Sequence, residues 1–373
     1  MKKVGIVTIH SYKNYGSVLQ AYATQREYEK RGYQAEIINF IRENSADKNY
    51  VRWIVQSDKQ FSHNLPKRVA AWCIIWFSFR KFKRVINAFI KDYLHVVGKE
   101  MYEEKELYTF GKDYDIYCTG SDQVWNSKCN GNQIVGPYYL NFVSKENIKV
   151  AYSASFGKDS LEKWEEERVK ELLAEYDLIS VREKSGIQIL AEMDIKNYMN
   201  VLDPTLMLNR QEWQSIMQGY KVSGKYILVY QICKNKQMDE FIKRIAKSKK
   251  MKVLRIGIRF DHALRYGKTA MMPTVSQFLY LIDHAEFIIT DSFHGTAFSI
   301  NFHKNFIVIN ERQYNERIYN ILNILGIEDR LVMDYQENGV LDNPIDYYVV
   351  EKKLMEQRKQ TDIFFEQLQS IIK

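Results

Sequence analysis

The stretch Glu286-Phe-Ile-Ile-Thr-Asp-Ser-Phe-His-Gly-Thr-Ala-Phe-Ser-Ile-Asn-Phe302 combines a short apolar run, a polar turn and a run with helical spacing. Residues 287–289 are enough for a buried strand, and residues 297–300 repeat apolar side chains as a helix does. The polar turn between them contains Thr290, Asp291, Ser292, His294, Gly295 and Thr296. In an open α/β sheet such a turn lies at the carboxyl end of a strand, where ligands bind. The stretch therefore predicts an α/β fold with a candidate site at this strand end.

The residue types in this turn fit two interpretations. The first amides of a helix have no internal partners and attract anions, and a histidine beside them can exchange a proton near neutral pH. Such a turn would be the catalytic end of a two-domain enzyme. In the alternative, Asp291 or Ser292 only caps the helix and His294 packs in the core. Spacing alone leaves both interpretations open.

The composition indicates a globular protein with two domains and an anionic partner. A chain of 373 residues is long enough for two hydrophobic cores, and 27% charged and 46% apolar residues are ordinary proportions. The net charge of +8 favours an anionic ligand, an acidic polymer or a membrane surface, without choosing among them. The four cysteines form no Cys-x-x-Cys pair, which argues against a zinc site or a disulfide framework. This usage fits a reducing cytoplasm, and we expect no signal peptide because Met1-Lys-Lys3 runs directly into an apolar strand.

The first 40 residues predict a βαβ unit. Residues 4–9 form an apolar strand, a helical pattern follows the next loop, and residues 36–40 form a second strand. The loop contains Asn14, Tyr15 and Gly16, which we name as candidate substrate-binding residues because Gly16 suggests a close approach of the backbone to a ligand. A purely structural turn is the alternative. The chain contains neither G-x-G-x-x-G nor G-x-x-x-x-G-K-[ST], so it carries neither a dinucleotide fingerprint nor a P-loop.

Residues 42–110 interrupt the α/β pattern and predict a helical insertion in the first domain. Residues 67–97 are basic and aromatic with a helical period, and their apolar run is too short to span a bilayer. A basic amphipathic helix can lie on an anionic membrane surface, so peripheral contact with the inner face of a membrane is one interpretation. The other is an inserted helical pair that packs on its own domain.

Beyond the insertion, several predicted strands each end in a polar loop. One strand leads to Ser121 and Asp122, and another, at residues 178–181, leads to Arg182. Such loops converge on one face of a parallel sheet, so we expect these three side chains at a shared site. Asp113-Tyr-Asp115 has the D-x-D spacing of some metal sites, but it precedes its strand and we assign it no role.

A second α/β unit follows a linker near residues 207–224. Its strand at residues 252–256 is followed by Arg259, His262 and Arg265, which either bind an anion or form a solvated basic face. The terminal helix is expected to pack back on the first domain. The predicted boundaries are 1–206 for the first domain, 207–349 for the second and 350–373 for the terminal helix.

Several blocks of sequence, in order, resemble the polysaccharide pyruvyl transferase family. The blocks are Gly5-Ile-Val-Thr8, Asn14-Tyr-Gly16, Leu19-Gln-Ala-Tyr22, Gly120-Ser-Asp-Gln-Val-Trp-Asn126, Ser180-Val-Arg-Glu183, Leu202-Asp-Pro-Thr205, Thr290-Asp-Ser-Phe-His-Gly295 and a terminal block from Arg312 to Arg330. They span almost the whole chain. The resemblance implies two facing Rossmann-like domains, similar to GT-B glycosyltransferases, with the site in the cleft between them.

The resemblance also implies a reaction. A pyruvyl group would pass from phosphoenolpyruvate to a sugar of a polysaccharide or lipid-linked oligosaccharide precursor and form a cyclic ketal. The enol phosphate must be protonated at its methylene carbon, so the site needs a proton donor and acceptor together with cations for a carboxylate and a phosphate. This logic requires no metal or cofactor beyond phosphoenolpyruvate as the donor substrate.

The matching positions suggest roles for individual residues. His294 is the expected acid/base because it lies in the turn Ser292-Phe-His-Gly295, called the S-F-H-G turn below. Arg182 is the expected carboxylate or phosphate clamp, since a guanidinium binds such groups with two hydrogen bonds. The hydroxyl of Ser292 and the amides of Gly295 and Thr296 would hold phosphate.

One position departs from the family pattern. Characterised pyruvyl transferases that resemble this chain carry an arginine two residues before the histidine, where this chain has Ser292. Arg259, Arg265 or His262 would have to supply the missing charge, or the donor differs. A nucleotide-sugar glycosyltransferase and a non-catalytic glycan-binding relative therefore stay open. We expect no nucleic-acid partner, because the chain contains no recognised nucleic-acid-binding motif.

Overall fold

The computed structural model describes residues 1–11, 14–42, 51–52, 55, 65–233, 235–309, 316–333, 335, 339 and 341–372. The chain divides into two compact units. The first unit consists of Met1–Tyr50, Ile90–Met207 and Leu354–Lys373, and the second of Val51–Phe89 and Leu208–Lys353.

The first unit is built on a seven-stranded parallel sheet. Its strands are β1 (Lys3–Val7), β2 (Gln34–Phe40), β3 (Val96–Met101), β4 (Ile116–Thr119), β5 (Ile148–Ala154), β6 (Leu178–Val181) and β7 (Tyr198–Asn200). Their order across the sheet is β3-β2-β1-β4-β5-β6-β7. Strands β4 and β6 are buried at every position, because both faces of a parallel sheet are covered by other elements.

The second unit repeats this plan with six parallel strands. They are β8 (Tyr226–Tyr230), β9 (Lys252–Gly257), β10 (Lys268–Met271), β11 (Phe287–Thr290), β12 (Asn305–Ile309) and β13 (Leu331–Val332). Their order is β10-β9-β8-β11-β12-β13. Numbered within each unit, both sheets contain the 3-2-1-4-5-6 order of a Rossmann-like fold, and the order reverses between β1 and β4 and between β8 and β11. The predicted fold class, α/β with two Rossmann-like domains, is confirmed.

Eleven α-helices are assigned within the described ranges. They are α1 (Tyr15–Lys30), α2 (Leu65–Tyr93), α3 (Glu104–Leu107), α4 (Lys163–Leu173), α5 (Lys184–Glu192), α6 (Arg210–Gln214), α7 (Lys236–Ser248), α8 (Val275–Asp283), α9 (Phe293–Asn301), α10 (Glu316–Leu325) and α11 (Tyr347–Ile372). We expected the terminal helix to return to the first domain, and α11 from Leu354 onward groups with the first unit. There the Phe364 ring stacks on Tyr152, with the centroids 5.4 Å apart, and Arg358 Nε donates to the carbonyl of Leu206.

Only part of the predicted insertion groups as expected: Val51–Phe89 belongs to the second unit, and residues 90–110 belong to the first. Most of α2 groups with the second unit, whereas the sequence placed the insertion in the first domain. The reason is a tertiary contact: Phe260 of the second unit donates its amide to Ser78 Oγ at 2.9 Å. The helical period predicts a buried stripe, but it does not say which domain covers that stripe. The second member of the predicted helical pair lies outside the described residues. Over the ranges that the structure describes, no helix is both long and apolar enough to cross a bilayer.

Candidate active site

The S-F-H-G turn lies between β11 and α9, at the reversal of strand order in the second sheet. Ser292 is the N-cap of α9, and its Oγ accepts the amide of Gly295 at 3.3 Å. The Ser292 amide donates to Thr290 Oγ1 at 3.1 Å, and that hydroxyl donates to the Tyr230 carbonyl on β8 at 2.7 Å. A continuous chain of hydrogen bonds therefore fixes the turn to the neighbouring strand.

This arrangement differs from the predicted phosphate site. The Ser292 hydroxyl and the Gly295 amide bond to each other, and the Thr296 amide donates to the carbonyl of Ser292 at 2.9 Å. All three groups that we expected to hold phosphate thus already have partners inside the turn. Helix capping is what the structure shows for Ser292, because its extended backbone points the side chain at the first turn.

His294 lies on the first turn of α9 and is 5% exposed. Its ring meets the ring of Phe293 edge to face, with 5.2 Å between centroids. The guanidinium of Arg317 lies over the other aromatic ring of this pair, 5.4 Å from the Phe293 centroid. The histidine is therefore held at the carboxyl end of the sheet, where Rossmann-like folds bind ligands.

Asp291 connects the turn to the loop after β8. Its two carboxylate oxygens accept the amides of Ile232 and Cys233 at 2.7 and 2.8 Å. Burial raises the pKa of Asp291, while these two amides act in the opposite direction. Its function is to join two strand ends, which explains why Ser292 and not Asp291 caps the helix.

A cluster of arginines lies near the carboxyl end of β8, with Arg255 inside β9 and Arg259 and Arg265 in the segment after β9. Gln231, the first residue after β8, accepts hydrogen bonds from Arg255 at 2.8 Å and from Arg265 at 3.1 Å. Arg255 is also paired with Asp239, and Arg259 makes two 2.9 Å hydrogen bonds to Asp261.

Arg265 is the cation of this cluster that no carboxylate neutralises directly, as far as the described residues show. Its hydrogen bond goes to the neutral amide of Gln231. Burial lowers the pKa of Arg265, while Asp239, Asp261 and, more weakly, Asp291 oppose that shift. A half-buried guanidinium without a carboxylate partner is suited to bind an anionic ligand.

His262 differs from its predicted use as a cation. It is 4% exposed, and burial together with the positive charge of Arg265 lowers the pKa of His262 to about 3. The imidazole is therefore neutral at physiological pH. It cannot supply the charge that Ser292 lacks, and Arg265 is the group that can.

The first unit gathers its own polar cluster around Arg182. The Arg182 side chain is 1% exposed and pairs with Asp203. Its guanidinium also lies 3.4 Å from Asp122 Oδ1 and 3.4 Å from Ser121 Oγ, and 3.8 Å from Glu183. Burial lowers the pKa of Arg182, but the three carboxylates outweigh it and leave the pKa raised.

This network conflicts with the predicted clamp. A guanidinium surrounded by three carboxylates is already neutralised, so an incoming phosphate or carboxylate would meet net negative charge. The predicted alternative, an ion pair at the start of a helix, is closer to the structure, although Asp203 contacts Arg182 more closely than Glu183 does. Arg182 holds the loops after β4, β6 and β7 together.

The predicted Asn14-Tyr15-Gly16 turn also has a structural explanation. Asn14 is the N-cap of α1 and accepts the Gly16 amide at 2.9 Å, while Tyr15 is fully buried. One turn later, Ser17 Oγ donates to Asp122 Oδ2 at 2.7 Å. This contact brings the start of α1 to the Arg182 cluster.

The structure thus assembles two separate groups of predicted residues. Ser121, Asp122 and Arg182 meet in the first unit, and the S-F-H-G turn and the arginine cluster share one sheet edge in the second. Sequence reasoning gave no role to Asp203 or Gln231. Both could have been found from one signal, because Gln231 directly follows β8 and Asp203 lies three residues after the carboxyl end of β7. Among the described side chains, no group of three or more His, Cys, Asp or Glu residues is arranged to hold a metal ion.

Comparison with known proteins agrees with this architecture. The sequence model of the family described as polysaccharide pyruvyl transferase matches residues 14–313. The fold is similar to that of the S. aureus MnaA-UDP co-structure, with a TM-score of 0.53, 11% identity, and coverage of 92% of this chain and 87% of that chain. It is also similar to UDP-N-acetylglucosamine 2-epimerase from Rickettsia bellii, with a TM-score of 0.51, 11% identity, and coverage of 100% and 96%. At these identities the likeness shows the fold alone. The comparison with curated protein sequences found no match.

Proposed function

The chain belongs to the polysaccharide pyruvyl transferase family, and we propose that it transfers a pyruvyl group from phosphoenolpyruvate to two hydroxyls of a sugar. The acceptor is a polysaccharide or glycolipid precursor, and the products are a cyclic ketal and inorganic phosphate. The observation that supports this proposal best is the buried His294, held by the S-F-H-G turn at the same sheet edge as an arginine cluster. The four free cysteines favour a reducing, cytoplasmic compartment.

In the proposed reaction, His294 first donates a proton and then accepts one. The imidazolium donates a proton to the methylene carbon of phosphoenolpyruvate, which becomes a methyl group, and positive charge develops on the adjacent carbon. The first sugar hydroxyl attacks that carbon and returns its proton to His294. Phosphate then leaves with its bonding electron pair, the second hydroxyl closes the ketal, and the proton of that hydroxyl goes to phosphate.

Arg265 is the proposed cation for the donor. Phosphoenolpyruvate carries a phosphate and a carboxylate, and both bind best to a guanidinium that is not already paired. Arg255 and Arg259 are each paired with an aspartate, whereas Arg265 bonds to the neutral Gln231. Arg265 would thus replace the family arginine that is absent at Ser292.

The charge difference between the two units suggests that each unit binds a different substrate. In the first unit, Asp122, Glu183 and Asp203 surround one guanidinium, so an anion is disfavoured there. Carboxylates are good acceptors for sugar hydroxyls. We therefore assign the neutral sugar acceptor to the first unit and the anionic donor to the second, with Arg182 as a positioning residue.

A donor screen tests this function. Phosphate release from phosphoenolpyruvate with a set of sugar acceptors is the expected result. Arg265→Gln should raise the KM for phosphoenolpyruvate more than Arg259→Gln does, because Arg259 is already neutralised by Asp261. Equal effects of the two substitutions would remove Arg265 from the donor site.

Two other activities would give different results in the same screen. The likeness to a UDP co-structure makes a nucleotide-sugar glycosyltransferase the second candidate, and tight binding of a nucleotide sugar without phosphate release from phosphoenolpyruvate would support it. Oligosaccharide binding without turnover of any donor would identify a non-catalytic relative. That outcome would fit the capping role of Ser292.

A further inference from the structure

The solvent-facing side of α2 exposes several large apolar side chains. The opposite side of the helix is a buried stripe at Ala71, Ile75, Ser78, Phe82, Ile86 and Phe89. On the exposed side, Val69, Ile74 and Phe77 are 56%, 40% and 63% accessible. Large apolar side chains that are exposed on one side of a helix often mark a surface that contacts a partner.

The same helix carries most of the net charge of the protein. It contains seven basic residues and one acidic residue, Asp92 near its end, which gives a formal charge of +6 against +8 for the whole chain. Ile74, Phe77, Lys81 and Arg84 follow one another at spacings of three, four and three residues, so they share one helix face. The face therefore changes from apolar to basic along its length.

A groove of about 650 Å³ runs along this face. Ile74, Phe77 and Phe260 supply apolar walls, and Arg80, Lys81 and Arg84 supply the charge. The ammonium of Lys81 lies 5.6 Å from the centroid of the Phe260 ring. Apolar side chains beside three cations match the interface of a bilayer, where acyl chains lie next to phosphate groups.

We propose that this face docks the protein on the surface of an anionic phospholipid bilayer. A second copy of the chain is a poor occupant, because two faces that each carry a helix of charge +6 repel. A bilayer with anionic lipids complements both the charge and the apolar side chains. Phe260 immediately follows Arg259 of the arginine cluster, so docking would hold that cluster near the membrane surface. This last consequence rests on the proposed function, whereas docking itself does not.

The test is co-sedimentation of the full chain with lipid vesicles. Vesicles of phosphatidylglycerol and phosphatidylcholine should bind the wild type, and vesicles of phosphatidylcholine alone should bind it weakly. The triple variant Arg80→Glu, Lys81→Glu, Arg84→Glu should bind at least about 100-fold more weakly. Each Lys or Arg near an anionic surface strengthens binding about fivefold, and the variant removes three of them. High salt should also weaken binding of the wild type to anionic vesicles, because it screens the charges.

A matched control separates this face from general charge attraction. Lys247→Glu, Lys250→Glu, Lys252→Glu removes the same charge from exposed positions elsewhere in the second unit and should keep most of the binding. Equal loss in both triple variants, or equal binding to neutral vesicles, would overturn the proposal. If the charge-reversed protein fails to fold, the milder variant Phe77→Ser replaces it, and Phe77→Ser should also reduce vesicle binding. A wild type that ignores anionic vesicles and instead dimerises through this face would refute the proposal as well.

Discussion

Replacing Gly295 with alanine should open the S-F-H-G turn. A Cβ at this position would lie 2.3 Å from Thr290 Oγ1, which is closer than such atoms approach, and at a tight 3.1 Å from Thr290 Cβ. The Thr290 hydroxyl holds two hydrogen bonds, one to the Tyr230 carbonyl and one from the Ser292 amide. Relief of the clash must move this hydroxyl and weaken both bonds.

The expected magnitude follows from these contacts. Two weakened hydrogen bonds cost about 1 kcal/mol each, and overpacking a tight core costs about 1–3 kcal/mol. The better helix propensity of alanine returns at most about 1 kcal/mol. We therefore expect a local destabilisation of at least about 2 kcal/mol, with a loss of transferase activity because His294 is the neighbouring residue.

Native-state hydrogen exchange measures this effect where it occurs. The amides of β11 and α9 should exchange at least about 30-fold faster in Gly295→Ala, which corresponds to about 2 kcal/mol. Gly219→Ala is the control, since a Cβ at that position meets nothing within 4 Å. Thr290→Ala should partly rescue Gly295→Ala by removing the clashing hydroxyl. Strictly additive effects of the two substitutions, or an unchanged exchange rate in Gly295→Ala, would refute the reasoning.

Three further results are expected. His294→Asn should abolish transfer while leaving the thermal unfolding temperature nearly unchanged, and retained transfer would exclude His294 as the acid/base. Arg182→Ala should destabilise the first unit by about 3 kcal/mol because it leaves buried carboxylates without their cation, and Asp203→Asn in the same chain should restore part of that loss in a denaturant titration. His262 has a folded-state pKa near 3, below its ordinary value of 6.5, so the stability it contributes is complete above pH 6.5 and is lost as the pH falls toward 3. Between pH 6.5 and about pH 5 the free energy of unfolding of the wild type should fall by roughly 2 kcal/mol more than that of His262→Asn. Parallel curves of unfolding free energy against pH for the two proteins would contradict this assignment.

The sequence predicted the second Rossmann-like unit from short-range signals. An apolar run, a turn with Ser292 and Gly295, and a helical repeat are local patterns, and they correctly located β11 and α9. They also left two uses of Ser292 open, namely a cap and a phosphate ligand. Hydrogen-bond partners decide between those uses, and only the folded turn brings Ser292 Oγ to the Gly295 amide.

The sequence could not show which arginines are neutralised by carboxylates in the folded protein. Arg182, Arg259 and Arg265 look alike as residues that follow strands, but they meet different partners. Arg182 pairs with Asp203, 21 positions later in the chain, and with Asp122, 60 positions earlier. Neutralisation of a charge depends on which loops lie side by side, and strand order decides that.

By itself the sequence determined the strand and helix alternation, the family and the position of the buried histidine, because these depend on periodicity and on contiguous motifs. The tertiary structure alone decided which side chains are already paired, that Arg265 is the arginine of its cluster without a carboxylate partner among the described residues, and that most of α2 packs with the second unit. Ion pairs and packing partners join residues far apart in the chain, so no local pattern can encode them.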